Sequence, residues 1–534
     1  MHDPNREFSR DARPLVAGAT NRAALLGILL ALMLPAAALR WPSGDPRTLF
    51  IDEPLTWDVV RQSTMGDYIT WQHHFEHPPL SYLLAEVSIR ASGFGREAGV
   101  ESLRALRLPA FFAGVLCVPA AFLVGLVLGG PRLGLPAAAL AAVDPIHVEQ
   151  ARVARMYPLF VLMLLLSTAI FSWSQRRWRT GRPISPWVWV LAGVLLAGQW
   201  WSAGIGFATV AGMLLALAGV VGVEGLLRGN RRRAARLASG VLLAVLVAVL
   251  ATHVGLLTRM KAGLHDFVDV PRTAAARVEM IWRGLESIAN AGALASGAVW
   301  VIAVAGCVLL ARRSRAGVGS ALLLACAAAV NVAALFLALR TYHSLSPRYL
   351  IALSPVLWLG LSTWPVLARR RWLRIAGGVV LAAMMLTWTW RAARPSDATD
   401  PLRGYARSIL SLPPGEPVLY LPGYIALSGE MLGRPGDEAL QAWARTVTDA
   451  DGADPPPFAD DPAASRPASL LVWQLGSSRA DVRDDYVRVL SAVAAAMQAP
   501  PVDRASLERA MRPSAPLVVR VTSDGVAPLA PTAE

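Results

Sequence analysis

Cysteine is scarce in this chain of 534 residues, and lysine is almost absent. The three cysteines, Cys117, Cys307 and Cys326, fall in apolar stretches without metal-ligand spacing, which excludes a disulfide framework and a cysteine-based metal fold. Lys261 is the only lysine, a bias that reads as codon usage and leaves arginine as the basic side chain. Charge is thin overall: 16% of residues are charged, against roughly 25% in ordinary soluble domains. Internal repeats of any period are missing, unlike the duplicated halves common in transporters. What the chain has in excess is apolar surface, with 54% hydrophobic residues and a mean hydropathy of +0.44. That excludes a disordered chain, a coiled coil and most soluble enzymes.

The net charge of +14 raises the question of nucleic acid, and its distribution answers it. From Arg394 onward there are 13 Arg and 18 acidic residues, net −5, so the preceding part carries net +19. This positive charge sits in short clusters between apolar runs, the pattern of a membrane protein, and no nucleic-acid partner is expected. Eleven such runs read as transmembrane helices: 23–41, 105–128, 133–148, 157–174, 187–203, 205–227, 237–257, 289–310, 318–340, 348–367 and 375–391. With the N-terminus and its Arg6, Arg10, Arg13 and Arg22 in the cytoplasm, Arg132 and the Arg-rich loops 175–186, 228–236, 312–315 and 369–374 all fall inside. Ala36-Ala37-Ala38 resembles a leader-cleavage site, but the 22-residue polar lead and the loop parity favour a retained first span.

The expected architecture is an α-helical polytopic protein of a bacterial inner (plasma) membrane. Residues 1–22 form a cytoplasmic N-terminus, 23–393 a transmembrane domain, and 394–534 a small α/β domain outside the membrane. The outer loop 42–104 is expected to carry two interfacial helices, 54–66 and 79–93, the second with Glu86 and Arg90 on one face. Beyond 394 the pattern predicts strands at 417–421, 469–474 and 516–521, helices near 401–411, 437–447 and 478–498, and a loop at 449–468.

Polar residues gather at one membrane face. Asp52-Glu53 follows the first span, and the run from His73 to Pro79 contains Glu76 and His77. Between the third and fourth spans come His147, Glu149, Arg152, Arg155 and Tyr157; Arg348 and Tyr349 open the tenth span. Taken singly, each has a structural explanation: solvated loop carboxylates, core histidines, arginines snorkelling to the interface. Taken as a group at one depth, they suit a reaction on an anionic lipid, with a carboxylate to accept a proton and arginines to hold a phosphate.

The order of these elements resembles the C-type membrane glycosyltransferases (GT-C type), in particular the protein-mannosyltransferase-like and lipid A aminoarabinose transferase-like members. The resemblance rests on Asp52-Glu53, Glu76-His77-Pro78-Pro79-Leu80, the stretch from Leu103 through Arg107 to Pro109, Ala154-Arg155-Met156-Tyr157, and the late Arg348-Tyr349. It implies an inverting transfer of a sugar from a polyprenyl-phosphate donor to a lipid, glycan or protein acceptor at the outer face of the inner membrane. It implies Asp52 as the catalytic base or as the residue that positions the acceptor, with Glu53 in support, and Glu76, His77, Arg152, Arg155, Tyr157, Arg348 and Tyr349 as substrate-binding residues. A divalent metal ion is the one cofactor the resemblance admits, with Glu76 and His265 as ligands. No Asp stands a few residues after Arg155, where protein mannosyltransferases place one. Two other readings stay open: a polytopic transporter or lipid-linked sugar flippase, and a transferase of the O-antigen ligase or polymerase kind.

Overall fold

The computed structural model describes residues 19–50, 52–64, 67–68, 78–180, 182–222, 231–252, 273–290, 293–313, 318–338, 347–393, 405–414, 416–421, 426–433, 435–436, 469–474, 480–496, 499–500, 502–503, 517–522 and 524–528. Helix α1 (Ala19–Arg40) leads through a 3-10 turn (Pro46–Thr48) to α2 (Glu53–Gln62) and α3 (Leu80–Ala91). The bundle continues with α4 (Leu103–Gly129), α5 (Pro131–Val143), the short α6 (Pro145–Ala151), α7 (Tyr157–Arg179), α8 (Pro186–Ser202), α9 (Gly206–Gly222) and α10 (Arg231–Thr252). It is completed by α11 (Ala274–Ala289), α12 (Ala293–Arg313), α13 (Val318–Ala338), a 3-10 stretch (Pro347–Leu353) running into α14 (Ser354–Leu367), and α15 (Arg371–Ala393). Among the described residues six of these segments are long and apolar enough to cross a membrane, and shorter apolar helices, among them α5 and α9, join them.

Lipid offers no hydrophobic force between helices, so close approach through small residues holds such bundles together. Gly125 of α4 lies so near Gly134 of α5 that a Cβ on it would stand 2.6 Å from the Gly134 Cα. Gly306 of α12 and Gly360 of α14 meet backbone to backbone in the same way. Neutral polar pairs add to this: the Gln199 amide donates to Ser167 at 2.8 Å, and the Asn331 amide to Thr209 at 3.1 Å.

Helix ends leave carbonyls without partners. Here two arginines, Arg40 buried and Arg152 half-buried, take them up. Arg40, at the end of α1, donates to the carbonyls of Ala141 and Ala142 in the last turn of α5, at 2.7 and 2.6 Å. Arg152 donates to Leu39 at the end of α1 and to Ala392 at the end of α15. Three helix termini are thus tied to one rim of the bundle.

The C-terminal unit has a four-stranded sheet in the order β1 (Val418–Leu421), β2 (Ser469–Gln474), β3 (Leu517–Thr522), β4 (Gly525–Pro528). β1 and β2 run parallel, with Val418 opposite Leu471; the other pairs are antiparallel. Helices Tyr405–Leu410, Ala426–Met431 and Ala480–Ala496 accompany it. The last of these buries Val489, Leu490 and Val493 with Leu470, Val472 and Val519 of the sheet. A second apolar cluster joins the unit to the segment that leads into and forms α2: Ala406, Ile409 and Met431 pack with Leu49, Trp57 and Val60.

Each expected apolar run contains a helix, with one change of course. The run 133–148 stops at Asp144, whose carboxylate accepts the backbone N–H of Ile146 and His147 and the indole N–H of Trp358, so it caps a new helix, α6. Helix α11 has no counterpart among the expected elements. It is amphipathic and carries the charged pair Glu279–Arg283, so it escapes a search for apolar runs. Strand β4 and the helix Ala426–Met431 are likewise additional. The expected helix at 437–447 and loop at 449–468 lie outside the described residues.

Candidate active site

Asp52 stands at the N-cap position of α2, where an aspartate commonly binds a backbone N–H of the first turn. Here its side chain makes no capping bond. It points instead at two arginines brought from distant parts of the chain. Its Oδ2 lies 2.9 Å from the Arg348 guanidinium and 3.5 Å from that of Arg155. The Asp52 side chain is 26% exposed and that of Arg155 only 3%, so the pair lies at the edge of the protein interior.

Arg155 occupies the bend between α6 and α7, with its N–H donating to the Val153 carbonyl at 2.8 Å. Burial works to lower its basicity, but the Asp52 carboxylate together with Tyr157 and Tyr82 outweighs it, so the guanidinium titrates above its ordinary value. Arg348 enters from the 3-10 stretch before α14. Its guanidinium lies 5.5 Å from the Phe50 ring centroid, 5.9 Å from that of Tyr157 and 5.6 Å from that of Tyr349. Aromatic faces attract such a cation and keep it in place. Tyr157 and Tyr349 meet edge to face at 6.2 Å. The Tyr157 hydroxyl is buried and makes no hydrogen bond among the described residues.

Glu53 has a different task from its neighbour. It is fully buried, and its two oxygens accept from Arg107 Nε and Nη2 at 2.7 and 2.6 Å, from the Phe50 N–H at 2.8 Å and from the Ala154 N–H at 2.7 Å. Arg107 spends its remaining donors on the carbonyls of Ser43 and Thr48 and on the Thr48 hydroxyl. Glu53 therefore fastens the backbone beside Asp52 to the residue that precedes Arg155. The signal for this in the sequence was only the Glu next to Asp52; the Arg107 partner 54 residues on is set by tertiary folding.

Of the expected site residues, the fold brings together Asp52, Arg155, Tyr157, Arg348 and Tyr349, with Glu53 beneath them. Arg152 is directed elsewhere, to the helix-end carbonyls of Leu39 and Ala392. Its proximity to Arg155 in sequence does not carry over, because the turn between α6 and α7 separates the two side chains. Glu76, His77 and His265 lie outside the described residues. Phe50 was not anticipated; nothing in its local sequence distinguishes it from a loop aromatic.

The described residues do not fit a divalent cation. No group of three His, Cys, Asp or Glu forms among them, and the one carboxylate at the centre faces two guanidiniums, which would repel a metal. One carboxylate against two guanidiniums leaves a positive excess, which suits an anion. Beside Arg155 lies a cleft of about water size, lined by Thr56, Ser81, Ala85, Leu106, Ala110 and Leu159 among others.

No protein-family model matches the chain, and no curated protein matches it in sequence. Solved structures match it in fold. The oligosaccharyltransferase of Archaeoglobus fulgidus in its apo form aligns at 13% identity and a TM-score of 0.51, over 88% of this chain and 71% of that one. The same enzyme in complex with Zn and sulfate aligns at 14% identity and a TM-score of 0.49 over 77% of this chain, which spans 62% of that one's length. ArnT from Cupriavidus metallidurans bound to undecaprenyl phosphate aligns at 14% identity and a TM-score of 0.47, over 86% of this chain and 94% of that one. The chain thus has the polytopic fold of the GT-C membrane glycosyltransferases, and identities this low speak for the fold alone.

Proposed function

We propose that the chain is an inverting glycosyltransferase that moves a hexosyl or pentosyl group from a polyprenyl-phosphate donor to an acceptor hydroxyl or amine. The reaction takes place at the outer face of the bacterial inner membrane. The observation that carries this reading is the arrangement of Asp52 between Arg155 and Arg348. A lipid-linked phosphosugar keeps its tail in the bilayer and its phosphate at the interface, where those arginines would take it.

In the step itself, Asp52 Oδ2 accepts the proton of the acceptor nucleophile. The nucleophile attacks the anomeric carbon from the face opposite the phosphate, forming the new glycosidic bond as the carbon–oxygen bond to phosphate breaks. The electron pair of that bond leaves on the phosphate. A phosphate needs no proton to depart, only cations, so one base and two guanidiniums suffice. The buried Tyr157 hydroxyl would donate one further hydrogen bond to the same oxygens. The arginine-rich loops on the opposite side support the outward placement of the site. Charged residues converging on one rim favour this chemistry over transport, which places ionisable groups near the bilayer midplane.

Transfer of radiolabel from a polyprenyl-phosphate sugar in membranes holding the intact chain or its Asp52→Asn variant tests the reading. Label that moves only with intact Asp52 supports it. Label that crosses the membrane unreacted makes the chain a transporter.

A further inference from the structure

The segment that carries Asp52 is gripped on both flanks by the C-terminal α/β unit. Upstream, the helix Tyr405–Leu410 packs on the turn Pro46–Thr48, and Ala406 and Ile409 are fully buried in the apolar cluster that also buries Leu49. Downstream, the helix Ala426–Met431 packs on α2. There Glu430 forms an ion pair with Arg61, which also holds Asp58 at 2.9 Å and lies 4.6 Å over the Trp57 ring. The same cluster takes in Val153 and Ala154, the residues that lead to Arg155. One continuous packed body therefore contains the α/β unit, both flanks of Asp52 and the approach to Arg155.

We propose that the α/β unit is a positioning element of the transfer site: it supplies no reacting group, and it fixes Asp52 against Arg155 and Arg348. This rests on the transferase reading above. Helix α2 has ten residues, and isolated helices shorter than about 12 are marginal. Its N-cap side chain makes no capping bond, so its direction comes from what packs on it. Close-packed clusters transmit displacement rather than absorb it. A shift of about 1 Å at a reacting group can lower rate by about a hundredfold.

The joint can be pried open at a defined point. A Cβ on Gly99 would stand 2.8 Å from the Met431 carbonyl oxygen, whereas one on Gly95 would meet nothing within 4 Å. Gly99→Leu is therefore a wedge, Gly95→Leu its control, and Glu430→Ala a milder release of Arg61. In the purified full chain, hydrogen exchange of peptides spanning 44–62 should quicken with Gly99→Leu and Glu430→Ala and stay as in the wild type with Gly95→Leu. Turnover should fall by about ten- to a hundredfold, while the KM for the polyprenyl-phosphate donor holds, since both arginines remain. Unchanged exchange at 44–62 and unchanged kcat in both variants would make the unit a passenger and overturn the proposal. So would a loss of stability with turnover per folded molecule intact. If Gly99→Leu does not fold, Glu430→Ala and Glu430→Gln decide by the same two measurements. The exchange measurement needs no substrate: if it responds as expected while the wild type transfers no sugar, the transferase reading fails and the grip on Asp52 stands.

Discussion

The carboxylate of Asp52 lies 2.9 Å from the guanidinium of Arg348, across a junction between the start of α2 and the 3-10 stretch before α14. With Arg155 on its other side at 3.5 Å, the aspartate stands between two cations. A phosphate entering the site would take over those cations and leave the carboxylate to the acceptor.

Asp52→Asn keeps the shape of the side chain and removes its basicity. The variant should remain in the membrane with wild-type yield while transfer falls by at least about a hundredfold, the low end of what a positioned base contributes. Turnover above about a tenth of wild type in the purified variant would remove Asp52 from that role.

Arg155→Ala and Arg348→Ala should damage use of the donor and spare the acceptor. Donor KM should rise or kcat fall, with acceptor KM little changed, because guanidinium–phosphate pairs are strong and geometrically specific. Arg348→Lys should restore part of the loss, and less than all of it, since an ammonium cannot lie flat against Phe50, Tyr157 and Tyr349. Unchanged donor kinetics in both alanine variants would reduce the arginines to interface anchors.

Glu53→Ala should act on stability first. It strands the buried Arg107 guanidinium and two backbone N–H groups, and breaking a buried pair this way costs about 3–5 kcal/mol. Thermal unfolding in detergent would register it. The charge reversal Glu53→Arg with Arg107→Glu should not rescue the loss, because an arginine at position 53 cannot accept from Phe50 and Ala154. Full rescue would show that the ion pair alone matters.

Orientation can be read with single cysteines in a background where Cys117, Cys307 and Cys326 are replaced. Cysteines at Arg47 and Asp524 should react with an impermeant thiol reagent on cells with a permeabilised outer membrane, and one at Thr180 should not. Labelling at 180 with protection at 47 would invert the membrane placement of the site.

The helices were legible because the chain is a series of apolar runs set off by arginine clusters, and the strand at 469–474 appears with the expected limits. The break at Asp144 was hidden, because its cause is the Trp358 indole from α14 and an N-cap inside an otherwise apolar stretch. Asp52, Arg155 and Arg348 could be named from their place at span ends. Arg152 could not be separated from Arg155, as both have the same composition around them and differ only in which way a turn points them. Glu53 stood out as a second carboxylate, but its partners at Arg107 and Ala154 come from elsewhere in the chain.

The packing of Tyr405–Leu410 on Pro46–Thr48 also has a meaning for biosynthesis. The turn is made early and its cover late, with nearly the whole membrane bundle synthesised between them. Closing so long a loop adds little entropy over a shorter one, since the penalty grows only with the logarithm of length. What it imposes is order in time, because domains form as the chain emerges and the N-terminal part comes first. A chain not yet extended through Leu410 therefore has the turn Pro46–Thr48 without this cover, however much of the bundle has already formed.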